Sequence, residues 1–363
     1  MGDIRAGDFP FSVSRNPMKV LFLGLGGVGQ RHLRNLKVLE PQVEIGAVRH
    51  KKRKFEITPE LNADTSVDIE EKFQIQCFPD LETAAKQFQP DFAIVSTPSS
   101  LHSRNILQLI HHEIPVFVEK PISHNEEHLR EIISSLGERD LPTMVGYMLR
   151  FHPAVQNLRS LVLEQAVGEI RSAHIVANTY MPDWHPYEKI SDFYVGRKDL
   201  GGGTILTNIH LIDLMYWILG VPKKLWCLGG ALSDFDIDVE DSVSALFLYH
   251  RPEAPLAVSL NMSFVQRPVE NSITFRCEKG SINWDLGDGA TRVSNVEDQQ
   301  DQVFEFPEIA WNDLFVSELQ HFISCLKNGT TPICDVRNTI DGHRIALAMK
   351  TSLAMDQPVN VSE

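Results

Sequence analysis

Short apolar runs alternate with amphipathic stretches over roughly the first 145 residues. The runs are KVLFLG (19–24), QVEIGAV (42–48), QIQCF (74–78), DFAIVST (91–97), PVFVEK (115–120) and PTMVGYM (142–148). Helical patterns lie between them. The clearest sets Leu129, Ile132, Ile133 and Leu136 at i, i+3, i+4 and i+7, a single apolar stripe. Strands alternating with helices predict βαβ units and a parallel sheet covered on both faces.

The rhythm then changes. A helix is predicted through PAVQNLRSLVLEQ. Beyond it, Leu256, Val258, Leu260, Met262 and Phe264 point one way, and Ala257, Ser259, Asn261 and Ser263 the other. Ile273, Phe275 and Cys277, then Ile282 and Trp284, repeat this period of two across the turn EKGS. Consecutive strands joined by short turns predict a half-covered antiparallel sheet. Two helical patterns, about 312–328 and 336–355, close the chain. One of them is expected to pack back on the first domain. The fold class is therefore α/β: a parallel-sheet domain over 18–145, then an α+β domain over 146–363 with a mostly antiparallel sheet.

Composition narrows the class. The 363 residues carry 48 acidic and 34 basic side chains, a formal charge of −14, so broad binding to nucleic acid or an anionic membrane is not expected. With 43% hydrophobic and 23% charged residues the chain reads as globular, and at roughly 150 residues per domain its length fits two domains. No apolar run approaches the roughly 18 residues of a membrane span, and the opening MGDIRAGDFPFSVSRNP does not read as a signal peptide. Five cysteines without a C-x-x-C fit free thiols in a reducing cytoplasm.

The sharpest local signal is Gly24-Leu25-Gly26-Gly27-Val28-Gly29, a G-x-G-x-x-G turn between a predicted strand and a predicted helix. The first glycine permits the tight turn, the second lets backbone approach a pyrophosphate, and the third lets helix and strand pack. The helix N-terminus then offers unpaired N–H groups to the phosphates. About twenty residues on, where an acidic residue would bind a ribose 2′-hydroxyl, stands Arg49, followed by His50, Lys51, Lys52, Arg53 and Lys54. That cluster favours a 2′-phosphate, and so NADP over NAD; its alternative reading is a solvated charge run.

Two further constellations carry candidate chemistry. Glu119-Lys120-Pro121 ends the fifth strand, where ligands of open α/β sheets lie. Lys120 is either a donor to a substrate oxygen or a surface lysine in a turn. In Gly201-Gly202-Gly203-Thr204-Ile205-Leu206-Thr207-Asn208-Ile209-His210-Leu211-Ile212-Asp213, His210 is either an acid–base group or a histidine satisfied within its helix. Arg150 and His152 sit at the domain junction; Tyr180, Trp184, His185, Arg197 and Lys198 lie on the approach to the glycines. With Thr207 they are candidates for substrate binding: a cationic pair for a carboxylate or phosphate, an indole for a sugar face, or simply loop residues. Asp234, Asp236, Asp238, Glu240 and Asp241 lack a calcium-loop spacing and read as the approach to a strand with one acidic face. His111, His112, His124 and His128 lack a zinc pattern, so no metal is expected.

Taken in order, GLGGVGQRHLRNL, STPSSLHSRNIL, VEKPIS, GYMLRFHP and GGGTILTNIHLID resemble the glucose–fructose oxidoreductase / inositol dehydrogenase (Gfo/Idh/MocA) family from about residue 18 onward. GQRHLRNL, YMLRFHPAV and MPDWHPYEK resemble a branch found with sugar and nonulosonic acid metabolism. The resemblance implies a Rossmann domain, a second domain with a large open sheet, and homo-oligomers formed through that sheet. It also implies hydride transfer between NAD(P) and a hydroxyl or ketone of a sugar, sugar acid or nucleotide sugar. The family lysine falls on Lys120 and its helix histidine on His210. Cofactor contacts would include Ser96, Thr97, Pro98, His102 and Glu119 besides the glycines. The family's Asp before the histidine has no match, since Thr207 and Asn208 stand there, and the segment is one residue shorter than in many members. The alternative is a non-catalytic dinucleotide sensor or co-regulator on the same scaffold.

Overall fold

The computed structural model describes residues 17–49, 54–137, 139–184, 189–298 and 301–361. Its first sheet is built from β1 (Lys19–Leu23), β2 (Glu44–Val48), β3 (Gln76–Phe78), β4 (Phe92–Val95), β5 (Val116–Val118) and β6 (Thr143–Val145). The order is β3-β2-β1-β4-β5-β6, and every pair is parallel. Val20, Leu21 and Phe22 are consecutive and fully buried, as a strand covered on both faces requires. The connecting helices are α1 (Gly27–Leu39), α2 (Leu81–Gln87), α3 (His102–His111) and α4 (Leu129–Leu136). Strand order reverses between β1 and β4, which opens a crevice at the carboxyl ends of the strands.

One element was not foreseen in the apolar pattern. Phe55–Ile57 pairs antiparallel with Ala63–Asp68, and the helical turn Ile69–Lys72 follows. The Gln30 amide ties this ribbon to α1. It donates to the Phe55 carbonyl at 3.2 Å and accepts from the Ile57 N–H at 2.7 Å.

After α5 (Pro153–Leu163) comes the second sheet. Its strands are β7 (Ile170–Tyr180), β8 (Lys224–Gly230), β9 (Ser242–Tyr249), β10 (Leu256–Ser263), β11 (Val265–Cys277), β12 (Gly280–Asp285), β13 (Thr291–Asn295), β14 (Gln302–Phe304) and β15 (Val359–Asn360). They run β14-β13-β12-β11-β7-β10-β9-β8-β15, antiparallel except where β7 meets β10. Leu256, Val258, Leu260 and Met262 are buried under helices, while the opposite face exposes Trp226, Leu228, Leu246 and Leu248. The acidic run before β9 is an irregular loop. Its Asp241 is buried and accepts from the Leu232 and Ser233 N–H groups at 2.9 Å.

Two short helices, α6 (Thr204–Thr207) and α7 (Ile209–Leu219), flank a break at Asn208. Of the closing helices, α8 (Trp311–Asn328) lies on the parallel-sheet side. Phe322 meets Phe92 and Phe117 edge-on at 5.4 and 5.8 Å, and the Asn312 amide donates to Asn35 at 2.9 Å. The last helix, α9 (Val336–Met355), packs on α7 and on β8, where the Ser352 hydroxyl accepts from the Cys227 N–H at 3.0 Å. No helix among the described residues is long and apolar enough to cross a membrane.

Candidate active site

The glycine turn has the shape its spacing implies. Gly24 has φ 94°, and a Cβ there would stand 2.8 Å from the Ser96 carbonyl oxygen. Gly26, the residue preceding α1, has open space where its Cβ would be. No side chain caps α1, and its first turn holds no acidic residue. The first N–H groups of the helix are thus presented to an uncrowded, positively polarised end. These residues fit the pyrophosphate of a dinucleotide. Ser96 is spent within the turn, its hydroxyl donating to the Gly24 carbonyl at 2.9 Å, while Thr97 and Pro98 stay half-buried at its rim.

Two residues expected to contact the cofactor also brace the protein, His102 through both ring nitrogens and Glu119 through one carboxylate oxygen. His102 points both ring nitrogens at backbone carbonyls, Nδ1 to Pro121 at 2.6 Å and Nε2 to Thr97 at 2.8 Å, and burial pushes its pKa below the usual range. It pins the turn after β4 to the turn after β5. Glu119 is buried, and its Oε1 receives His32 Nε2 at 2.7 Å. Burial works to raise its pKa, but the His32 hydrogen bond and the charges of His32 and Lys120 hold it below the carboxylate range.

Lys120 turns the other way. Its Nζ donates to the Thr207 carbonyl at 2.8 Å, bridging the two halves of the molecule. Burial lowers its pKa, and the Glu119 charge opposes that fall. Three residues beyond Thr207 stands His210. Burial and then the Lys120 charge push its pKa down to about 3. Its Nδ1 is buried without a hydrogen-bond partner among the described residues. The glycines 201–203 press on protein rather than open space. A Cβ would meet His124 at Gly201, the Val195 carbonyl at Gly202 and the Glu240 carboxylate at Gly203.

The remaining candidates do not converge here. Arg150 was expected to meet substrate but is buried, with Nε and Nη2 donating to both Asp213 oxygens at 2.8 and 2.6 Å. This also shows where Asp213 points: to Arg150. His152 precedes α5, and its Nδ1 accepts from the Ala154 N–H at 3.2 Å. Trp184 packs edge-on against Phe264 at 5.5 Å, and Tyr180 lies beneath the Arg267 guanidinium. Arg197 is exposed and paired with Asp199 at 2.8 Å, and Lys198 is exposed beside it. Thr207 serves through its main-chain oxygen. Arg49 pairs with Glu70, as does Lys54 at 3.0 Å, so the cationic cluster is partly neutralised by a carboxylate. His50–Arg53 and His185 lie outside the described residues.

Sequence reasoning missed His32 and Glu318, which join Glu119 in a buried cluster whose polar atoms lie within 4.8 Å of one another. A signal existed for Glu318: it interrupts the apolar stripe of Leu314, Phe315, Leu319 and Phe322 on α8.

Comparison with known proteins agrees with this geometry. Residues 18–147 match the oxidoreductase family with an NAD-binding Rossmann fold, GFO_IDH_MocA, and residues 155–283 match the GFO/IDH/MocA C-terminal domain. The chain is 28% identical over 202 residues to 2,7-anhydro-N-acetylneuraminate hydratase of Escherichia coli, covering 55% of this chain and 53% of that protein. It is 22% identical to myo-inositol 2-dehydrogenase of Thermotoga maritima, covering 95% of this chain and 99% of that one. The WlbA dehydrogenase from Chromobacterium violaceum, solved with NADH and UDP-GlcNAcA, superposes with a TM-score of 0.75 at 20% identity over 98% of each chain. The first-named match spans about half its relative, whereas the inositol dehydrogenase match runs nearly end to end. With both halves matched in order, a glycine turn fit for a dinucleotide and a lysine bridging to the histidine helix, the chain belongs to the GFO/IDH/MocA family of NAD-binding oxidoreductases.

Proposed function

We propose that the protein is an NAD(P)-dependent dehydrogenase or reductase acting on a secondary hydroxyl or ketone of a sugar, sugar acid or nucleotide sugar. One observation carries the reading. The Lys120 ammonium, at the carboxyl edge of the parallel sheet, is anchored at 2.8 Å to the Thr207 carbonyl, three residues before the buried His210. The names of the relatives share a chemistry: a polyhydroxylated ring, in two cases bearing a carboxylate.

When bound, the dinucleotide supplies the hydride acceptor in oxidation and the donor in reduction. The open backbone at Gly26 and the first N–H groups of α1 would hold its pyrophosphate, Gly24 and Gly29 shaping the turn, with Thr97 and Pro98 at the rim. In oxidation the C–H electron pair leaves as hydride, the O–H bond breaks, and its electrons become the second bond of the carbonyl. The hydroxyl proton goes to His210, whose depressed pKa keeps a free lone pair at neutral pH. Lys120 donates a hydrogen bond to the same oxygen and favours the negative charge that develops there. Reduction needs the imidazolium as proton donor, a form the depressed pKa disfavours at neutral pH. Because Arg49 and Lys54 share Glu70, we expect only weak discrimination between NADP and NAD. Copies of the chain are proposed to associate through the outer face of the second sheet.

The test is fluorescence quenching with NADH and NADPH, followed by turnover against inositols, neuraminate derivatives and nucleotide-linked uronic acids. Lys120→Ala and His210→Ala should each lower turnover by about 10²–10⁴. Near-normal turnover in both variants removes these residues from the chemistry. Quenching without turnover on any sugar favours the sensor reading, which the lack of a carboxylate at Thr207 and Asn208 keeps open.

A further inference from the structure

Behind Lys120 lies a closed apolar box holding three acid–base groups. His32 comes from α1, Glu119 from the end of β5 and Glu318 from α8. Their relative exposures are 0%, 6% and 0%. Phe117 and Phe315 wall the His32 ring at 5.1 and 5.8 Å. Only one contact inside the box is closed, His32 Nε2 to Glu119 Oε1 at 2.7 Å. Both Glu318 oxygens and His32 Nδ1 are buried without partners among the described residues. Yet Glu318 comes within 4.8 Å of the other two, a gap closed by one water or by rotation of its carboxyl group.

Two adjacent carboxylates sealed from water cannot both carry charge at an acceptable cost, and one of such a pair keeps its proton. The surroundings decide which. Glu119 has the His32 contact and directly precedes Lys120, whose charge favours its ionised form, whereas no cation contacts Glu318 among the described residues. We propose that Glu318 is a neutral acid sharing its proton with Glu119, and that with His32 it positions the Glu119 carboxylate as the buried counter-ion of Lys120. The inference rests on the reading of Lys120 as the group that meets the substrate oxygen. His32 and Glu318 are positioning residues, since neither reaches the site itself.

The charged and titratable groups facing the cluster are few. Arg31 comes from α1, stacked 4.6 Å from the Phe315 ring. Lys120 follows β5, His102 opens α3, His210 lies on α7, and Cys334 stands before α9. Arg31 and Lys120 favour an ionised Glu119; Glu318 opposes it only once it loses its own proton. A neutral Glu318 is therefore what leaves Lys120 with one undivided counter-charge.

Two measurements test this without a known substrate. The infrared difference spectrum of wild type minus Glu318→Gln, at neutral pH, should show the carbonyl stretch of a protonated carboxylic acid. Should that variant fail to fold, Glu318→Met takes its place. Absence of the band, or a stoichiometric transition metal in the purified protein, overturns the shared proton. Selective ¹³Cε labelling of lysine then follows the titration of Lys120. Glu119→Gln should lower its midpoint by at least one pH unit, a tenfold loss of proton affinity, and Glu318→Gln, which preserves a neutral donor, should leave it in place. If Glu119→Gln does not fold, Glu119→Asp, which withdraws the carboxylate by one methylene, should lower the midpoint by a smaller amount. An unmoved midpoint in the Glu119 variant overturns the counter-ion role. Neither readout requires turnover, so a failed dehydrogenase assay would sink the functional reading and leave this one standing or falling by itself.

Discussion

Lys120 Nζ is held by the main-chain carbonyl of Thr207, not by any side chain of the helix that bears His210. The carbonyl is available because the helix breaks at Asn208. In a continuous helix the Leu211 N–H would bond back to Thr207; here it bonds to Asn208 at 3.4 Å. Asn208 fixes the break through its own amide, which donates to the Ala177 carbonyl on β7 and to the Thr204 hydroxyl, both at 3.2 Å. The break therefore frees a backbone oxygen three residues before the histidine, and that oxygen holds Lys120.

This arrangement fixes the sign of the pH dependence. His210, at about 3, is neutral throughout the neutral range, so its protonation should produce no loss of kcat/KM until strongly acid pH. Lys120 must keep its proton to donate, and its lowered pKa means that the proton is lost earlier than from an ordinary lysine. In the oxidation direction the profile should be flat on the acid side and fall on the alkaline side. A steep acid limb near pH 6–7, the range of an unperturbed imidazole, would show that the histidine is not held neutral.

Much of this was readable before the fold was known. All six strands of the parallel sheet lie within the apolar runs; β1, β4, β5 and β6 do so because strands covered on both faces are nearly all apolar, while the edge strand β3 buries only Phe78. Lys120 and the glycine turn follow from position at strand ends. The fates of Arg150, His102 and Glu119 were not readable. Each looks like a ligand-binding residue locally, but Arg150 and Glu119 are claimed by partners far away in the chain, Asp213 and His32, and His102 by two backbone carbonyls, Thr97 and Pro121, that carry no side-chain signal. The ribbon 55–68 also escaped notice, since its second strand is half-exposed and polar, with no apolar alternation to mark it.

Glu70 should govern cofactor choice. It holds both Arg49 and Lys54 at the end of β2, where a ribose 2′-substituent is read. Glu70→Gln removes the competing charge while keeping the shape. The ratio of NADP to NAD affinity should rise by about three- to tenfold, in line with roughly 1 kcal/mol for a partly exposed charge contact. Equal changes for both dinucleotides in a titration would place the 2′-group elsewhere.

Arg150 and Asp213 link the junction after β6 to α7 and should matter to stability more than to binding. The guanidinium also donates to the Ile333 carbonyl at 3.3 Å and lies 5.2 Å from the Trp217 ring. Asp213 keeps Arg150 charged despite its burial. Asp213→Asn or Arg150→Met strands one buried charge, at a cost of about 3–5 kcal/mol. Replacing both with apolar residues should recover part of that loss. Urea unfolding of the single and double variants tests this; additive effects would contradict the pairing.

The outer face of the second sheet should mediate association of copies. Leu246 is 61% exposed and Leu228 45%, beside Trp226 at 41%, a cluster of apolar side chains in water on adjoining strands. Leu246→Glu places a charge at its centre. Light scattering after size exclusion should show a smaller species for this variant than for the parent at equal concentration. An unchanged mass, or a parent that is already monomeric, rules out this face.

The helix break makes the last expectation the sharpest, because it separates side chain from backbone at a single junction. Thr207→Ala leaves the carbonyl that holds Lys120 where it is, so turnover should stay within a few-fold of the parent. Asn208→Pro acts on the same carbonyl without touching Lys120 or His210. Proline removes the N–H that bonds to the Thr204 carbonyl at 2.9 Å together with the side-chain amide that holds Ala177 and Thr204, and it drives the preceding residue out of the helical region, swinging the Thr207 oxygen away. Lys120 then loses its anchor, and turnover should fall by about 10²-fold or more, as positioned groups do when displaced by an ångström. Dinucleotide quenching should persist, since the glycine turn is built from residues 24–29 and Ser96, which the substitution does not touch. If Thr207→Ala proves the more damaging of the two, the hydroxyl itself is the working group and the backbone bridge is incidental.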